Sequence, residues 1–283
     1  MGESLQNTDN TKPAVGMMIL EADEPHPKTT QRSGTFAEIL HRHFVAAGDA
    51  HDPPLGVTSN SIFIVSDRGG RIPKLEEFKN YHAVLITGSI HDAHGDDPWI
   101  LELLDLLREL WIQRPDIRFS GVCFGHQILC RLLGSEVAPS PTQDWELGHS
   151  KIDLSDVGKK LFRTDEPEVY LHQMHQDHVV APPTPESSNG LLNPGTRVEV
   201  WGHSEHTAVQ GVYIPGRLFT TQAHLAFDEG MVRHQIEKRV KMGSIEDMEH
   251  AGEAAETAGL EHDGEVAAAA ILNFFHGEDD GVA

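Results

Sequence analysis

An α/β fold is predicted for this chain: a doubly wound, mostly parallel sheet with flanking helices and a small antiparallel or mixed strand extension. Three observations predict it. Short continuous apolar runs alternate with apolar stripes at helical spacing over the first 134 residues, the pattern of strands buried on both faces and the helices that cross between them. The stretch Gly121-Val122-Cys123-Phe124-Gly125-His126-Gln127 joins one such strand directly to a helix. After Gly134 the texture changes to short strands split by turns such as Pro182-Pro183, Asn193-Pro194-Gly195 and Pro215-Gly216. That suits an antiparallel or mixed half built on the same core.

Residues 1–13 are polar and lack an apolar segment, so they read as a disordered lead-in and not a secretory signal. Residues 14–20 are a first buried strand, followed by a polar loop over 21–32. Ser33 is placed to cap the next helix, whose stripe is Phe36, Ile39, Leu40, Phe44 and Val45. Residues 61–65 form a second strand, 74–80 a short helical approach, and 83–87 a third strand ending in Gly88-Ser89. Pro98 opens a helix through Ile100, Leu103, Leu104, Leu107 and Leu110, at the position where proline costs no hydrogen bond. The elbow strand and helix follow. Short strands are then read at 146–154, 168–171, 179–180, 197–201, 207–214 and 217–221. Residues 230–242 return to helix, 244–262 are a weak helix or mobile insert, and 265–275 are a last helix on the sheet. A single domain over 14–276 and a frayed acidic tail over 277–283 complete the reading.

The bulk numbers exclude several classes. Among 283 residues, 44 acidic side chains outnumber 22 basic ones, a formal charge of −22. Nucleic acids and anionic membranes need basic patches, so neither is expected as a partner. No run of about 18 apolar residues offers a membrane span. Two cysteines are too few for a disulfide framework and fit a reducing compartment, read here as the cytoplasm. The 19 histidines are scattered without metal-ligand spacing, so no metal and no cofactor are expected.

The chemistry gathers at Cys123. A strand–Gly–x–Cys–x–Gly–helix turn is a nucleophile elbow with cysteine in place of serine. The helix dipole beneath it is expected to lower the thiol pKa. Cys130, in the same helix, reads as an inert core thiol. A cysteine nucleophile needs a base, and His224 follows the strand Leu218-Phe219-Thr220-Thr221-Gln222 at another strand end. The Phe124 N–H, with that of Gly88 or Ser89, is placed to bind an oxyanion.

With Gln222-Ala223-His224 near the chain's end, the elbow residues resemble the class I glutamine amidotransferase family over roughly 14–239. Thr87-Gly88-Ser89, His91-Asp92-Ala93 and Pro98-Trp99-Ile100 resemble that family's oxyanion strand and following helix. His172-Gln173-Met174-His175-Gln176-Asp177-His178-Val179 resembles a segment bordering its substrate pocket. The elbow extended to Ile128-Leu129-Cys130-Arg131 is similar to that of stand-alone members, including γ-glutamyl peptidases. The resemblance implies a flavodoxin-like sheet and attack by Cys123 on the γ-carbonyl of glutamine or a γ-glutamyl group. His224 would shuttle the proton, and Gln127, His175 and Asp177 would line the substrate site. One departure is plain: the family places Glu two residues after the histidine, and this chain has Ala226 there. Asp228 and Glu229 are offset stand-ins at a helix start. Three readings stay open: a stand-alone γ-glutamyl hydrolase, a glutaminase subunit feeding ammonia to a separate synthetase, and a catalytically impaired binding or regulatory protein.

Overall fold

The structure is a computed structural model and describes residues 4–6 and 14–282. In chain order its strands are β1 (Ser4–Gln6), β2 (Ala14–Glu21), β3 (Gly56–Phe63), β4 (Ala83–Ile86), β5 (Arg118–Val122), β6 (Val137–Pro139), β7 (Glu146–Leu154), β8 (Glu168–His175), β9 (Asp177–Val179), β10 (Glu199–His203), β11 (Gly211–Ile214) and β12 (Leu218–Thr221). Its helices are α1 (Pro27–Ser33), α2 (Phe36–Ala50), α3 (Pro98–Gln113), α4 (Phe124–Leu132), α5 (Asp156–Phe162), α6 (Glu229–Lys241), α7 (Met248–Glu256) and α8 (Gly264–His276).

Ten strands make one sheet in the order β1-β3-β2-β4-β5-β12-β11-β10-β7-β8, and β6 pairs β9 apart from it. The run β3-β2-β4-β5-β12 is parallel, while β11, β10, β7 and β8 continue it antiparallel. The fold is therefore α/β and flavodoxin-like in its parallel part, as the sequence predicts. The later strands extend the same sheet.

The period of two in β2 shows how one strand serves both faces. Val15, Met17 and Ile19 enter the core beneath α2 and α8, and Met18 and Leu20 enter the opposite one with α3 and α4. Both sets are almost wholly buried, which accounts for the unbroken apolar run. A third cluster joins α6 and α7 to Leu147, Met174, Ile39 and Phe227. None of the described helices is long and apolar enough to cross a membrane.

Several expectations change. The polar loop over 21–32 contains α1, and Ser33 is the last residue of that helix. The cap of α2 is Thr35, in a capping box with Glu38, which satisfies two otherwise orphaned N–H groups. The second strand starts at Gly56, five residues before the apolar signal, where it pairs with Ala14 of β2, and β1 covers its outer edge at Thr58, Ser59 and Asn60. That edge strand lies inside the expected lead-in, whose residues 1–3 and 7–13 are outside the described residues. The insert over 244–262 holds α7, capped by Asp247. In the tail, Asp279 is buried and accepts hydrogen bonds from Arg118 at 2.7 Å, the Tyr213 hydroxyl at 2.8 Å and the Gly216 N–H at 2.9 Å. A buried carboxylate so engaged holds 277–282 in place.

Candidate active site

In the parallel register Ile86 lies beside Gly121 and Val122 beside Thr221. Gly88, Cys123 and the residues after Thr221 therefore leave the sheet along one edge, the carboxyl edge where ligands bind such sheets. The turn at Cys123 is tight. Its backbone has φ 52° and ψ −106°, a conformation side chains avoid and that persists only when the surroundings impose it. Both neighbouring glycines impose it. A Cβ on Gly121 would lie 2.2 Å from the Gly125 carbonyl carbon, and one on Gly125 would lie 2.2 Å from the Ile86 oxygen. The Cys123 N–H donates to Thr221 O at 2.9 Å, and its carbonyl starts α4 by accepting from Gln127 at 3.0 Å.

His224 is held differently. Its N–H donates to His172 O at 2.8 Å, an isolated bridge to β8. Its ring stacks on Phe227 with centroids 3.9 Å apart and planes 14° from parallel. Gly88 lies against both side chains: a Cβ there would lie 2.9 Å from His224 Cε1 and 3.5 Å from Cys123 Cβ. Among the described residues, no carboxylate hydrogen-bonds the His224 ring. Ala226 is half-buried and packs its methyl on apolar neighbours. Asp228 caps α6 at Met231 N, 2.9 Å away, and pairs with Arg32 at 2.5 Å. Glu229 pairs with Arg233 at 2.9 Å. Neither stand-in replaces the absent carboxylate.

The expected lowering of the Cys123 pKa is corrected. Burial pushes the thiol up to about 11, and Arg239, the Phe124 N–H and the Gln222 side chain pull the other way without prevailing. Removing the charged form from water outweighs the helix dipole here. Burial likewise pushes His224 down to about 3, with nearby His175, Arg239 and His172 adding to it. At neutral pH the resting pair is a thiol beside a neutral imidazole. Cys130 is fully buried and its thiol is raised further by burial alone, consistent with an inert core residue.

The remaining expected residues divide. Gln127 is buried and its amide donates to Asp177 O at 2.8 Å and Gln222 Oε1 at 3.0 Å. It orients Gln222 against the thiol, and both its amide hydrogens are spent. The Ser89 hydroxyl is spent on Ala22 O at 2.7 Å, so only its backbone and that of Gly88 are available to an oxyanion. His175 lies between Glu146 Oε2, 3.0 Å from its Nε2, and Asp177 O, 2.9 Å from its Nδ1. Burial disfavours the Glu146 charge, yet His175, Ser204 and His206 hold its pKa below the usual carboxylate value. Asp177 is raised by burial and by Asp92, with His94 opposing at 3.2 Å. Asp92, His94 and Asp177 present ligand atoms within 4.8 Å of one another; they are the described group best suited to a cation.

Sequence reading missed Arg239. It projects from the last turn of α6, is only 9 % exposed, and lies over the Trp145 ring at 5.3 Å. Its Nε has no hydrogen-bond partner, and among the described residues no carboxylate is paired with it. A buried, unpaired guanidinium beside a cleft is costly unless an anion completes it. Nothing in the run Glu237-Lys238-Arg239-Val240-Lys241 distinguishes it from its solvated neighbours. It faces a cleft with two lobes that meet at Cys123. One lobe, about 280 Å³, is polar, with Asp92, His175, Asp177 and Arg239 in its wall. The other, about 40 Å³, is mostly apolar and runs past His224 and Ala226.

Comparison with known proteins agrees with this architecture. The model of the family described as "Glutamine amidotransferase class-I" matches residues 66–239. A glutamine amidotransferase-like protein of Schizosaccharomyces pombe is 28% identical over 218 residues, 77% of this chain and 82% of that protein. Gamma-glutamyl peptidase 2 of Arabidopsis thaliana is 30% identical over 180 residues, 63% of this chain and 66% of the peptidase. The crystal structure of a glutamine amidotransferase from Thermotoga maritima shares the fold, with TM-score 0.58 and 18% identity over 92% of this chain and 98% of that one. The chain belongs to the class-I glutamine amidotransferase family.

Proposed function

We propose that this protein hydrolyses the γ-carbonyl of glutamine or a γ-glutamyl amide through a thioester on Cys123. The observation that carries the reading is the close approach of both Cys123 and His224 to Gly88, with the Phe124 N–H directed at the thiol from the start of α4. The Cys123 proton passes to the neutral His224 ring as sulfur bonds to the γ-carbon, and the oxyanion is met by the N–H groups of Phe124 and of Gly88 or Ser89. The imidazolium then protonates the leaving nitrogen, and the C–N bond breaks. Water, losing its proton to His224, attacks the thioester; glutamate leaves and Cys123 recovers its proton. Arg239 would receive the substrate's α-carboxylate, and Asp92 with Asp177 its α-ammonium. Such a reaction needs no metal or cofactor.

The test is intact-protein mass spectrometry after exposure to a glutamine-analogue electrophile, with glutamate release from glutamine and γ-glutamyl amides measured alongside. A single adduct on Cys123, absent in Cys123→Ala together with turnover, is the expected result. Absence of both adduct and glutamate in the wild type would overturn the proposal.

The bare His224 ring favours a second reading, a binding or regulatory protein with residual turnover. Loss of an orienting carboxylate costs about 10⁴-fold in a serine enzyme, and a Cys–His dyad depends on it less. Ala226→Glu separates the two readings. Glutamate release that rises in the variant from a measurable wild-type rate supports an enzyme working on a dyad. Release found only in the variant supports the binding protein.

A further inference from the structure

We infer that the smaller lobe of the cleft selects γ-glutamyl amides whose amine half is a short aliphatic group. The inference rests on the hydrolase reading above and names its substrate class.

The direction of the reaction assigns the two lobes. His224 returns its proton to the leaving nitrogen, so the amine half of the substrate must lie on the His224 side of the reacting carbon. The acyl half then extends into the lobe with Arg239, Asp92 and Asp177, whose charges suit an amino acid's zwitterionic end. On the His224 side the cavity is walled by Phe36, Ile39, Leu40, Met174, Phe227 and Met231. Asp23, Gln235 and Arg239 also border it, but Asp23 is 3 % exposed and already engaged by Arg68 at 2.6 Å, and Arg239 is the group assigned above to the substrate's α-carboxylate. A charged or strongly hydrated amine half would lose its water there without a partner. An alkyl group would bury apolar surface instead.

Ala226 explains why the space exists. It lies in the wall of this cavity beside His224, two residues after the base, where a longer acidic side chain would both fill the lobe and place a charge in it. The missing carboxylate and the apolar lobe are thus one feature. The volume sets the size limit. About 40 Å³ accommodates roughly three waters, which corresponds to two or three carbons.

The test measures kcat/KM for glutamate release from glutamine and from the γ-glutamyl methyl-, ethyl-, propyl- and butylamides, with glutathione as the charged-dipeptide comparison. Each methylene that enters the lobe should raise kcat/KM about fourfold, giving a maximum at ethyl or propyl and a fall at butyl. Ala226→Leu should lower the ethylamide-to-glutamine ratio at least tenfold. A flat series, or glutathione turned over faster than the ethylamide, would overturn the selectivity while leaving the hydrolase intact. An unchanged ratio in a folded Ala226→Leu would do the same. The wild-type series decides the matter even if the variant fails to fold. No glutamate from any of these compounds and no adduct on Cys123 would remove the hydrolase reading, and the selectivity with it.

Discussion

The proposed nucleophile, Cys123, and its proposed base, His224, are held by opposite means. Around Cys123 the backbone is fixed by contact: two glycines admit no added atom, and the residue between them sits at φ 52°. Around His224 the backbone is fixed by one bridge to His172, and the ring rests on Phe227 with no acceptor behind it. One half is overdetermined and the other is held by a stacked face. The difference teaches where change is tolerated: the elbow transmits any added volume to the sheet, whereas the base can be re-aimed or the space behind it reshaped.

The largest effect is expected at the elbow. Gly125→Ala should abolish adduct formation on Cys123 and cost about 3 kcal/mol of stability through overpacking against Ile86, read from urea unfolding and mass spectrometry together. A stable variant with normal turnover would show that the tight contact is not what holds the thiol. His224→Ala should lower glutamate release by about 10³-fold, within the range for a positioned general base, while slow alkylation of Cys123 persists. Loss of less than tenfold would remove His224 from the reaction.

Smaller effects are expected around His224 and the buried imidazoles. Phe227→Leu removes the stacked face and should lower kcat about fivefold, matching roughly 1 kcal/mol for an aromatic pair, with KM for glutamine little changed. An unaltered kcat would mean that the bridge to His172 suffices. The last concerns acid. His126 and His224 are pushed by burial to about 3, and His172 to about 4. The unfolded chain binds a proton on each below about 6.5, the native chain only well below that. Unfolding therefore takes up protons between about pH 6.5 and 4, and stability must fall as pH drops through that window. A loss of several kcal/mol between pH 6.5 and 4.5 is expected from urea midpoints, with a shallower slope in His126→Gln. A flat profile would mean that these imidazoles are not held neutral.

The elbow, the strand before Gly88 and helices α3, α6 and α8 were legible because each leaves a mark of its own: glycines around Cys123, Pro98 at a helix start, apolar stripes at helical spacing. What escaped has no such mark. Helix α1 is seven mostly polar residues and presents little apolar stripe. Strand β3 begins in Gly-Val-Thr-Ser-Asn-Ser, a polar run whose pairing depends on neighbours distant in sequence. Among site residues, Cys123 and His224 were placed by motif and strand end. Arg239 and Gln222 act through geometry that only the packed chain creates. The direction of the thiol pKa was misread for a related reason. A helix dipole is visible in a local pattern, whereas burial is a property of the whole molecule.

The engagement of Asp279 has a consequence for how the chain is made. Its contact with Arg118, at the lower end of the elbow strand, closes a separation of 161 residues. At ribosomal rates of about 5–20 residues per second, some ten to thirty seconds pass between the emergence of the two partners. Through that interval the strand beneath Cys123 lacks the carboxylate that ties its base to Tyr213 and Gly216. The elbow is thus translated long before its foundation is sealed, and the nascent chain completes this corner only once Asp279 has emerged.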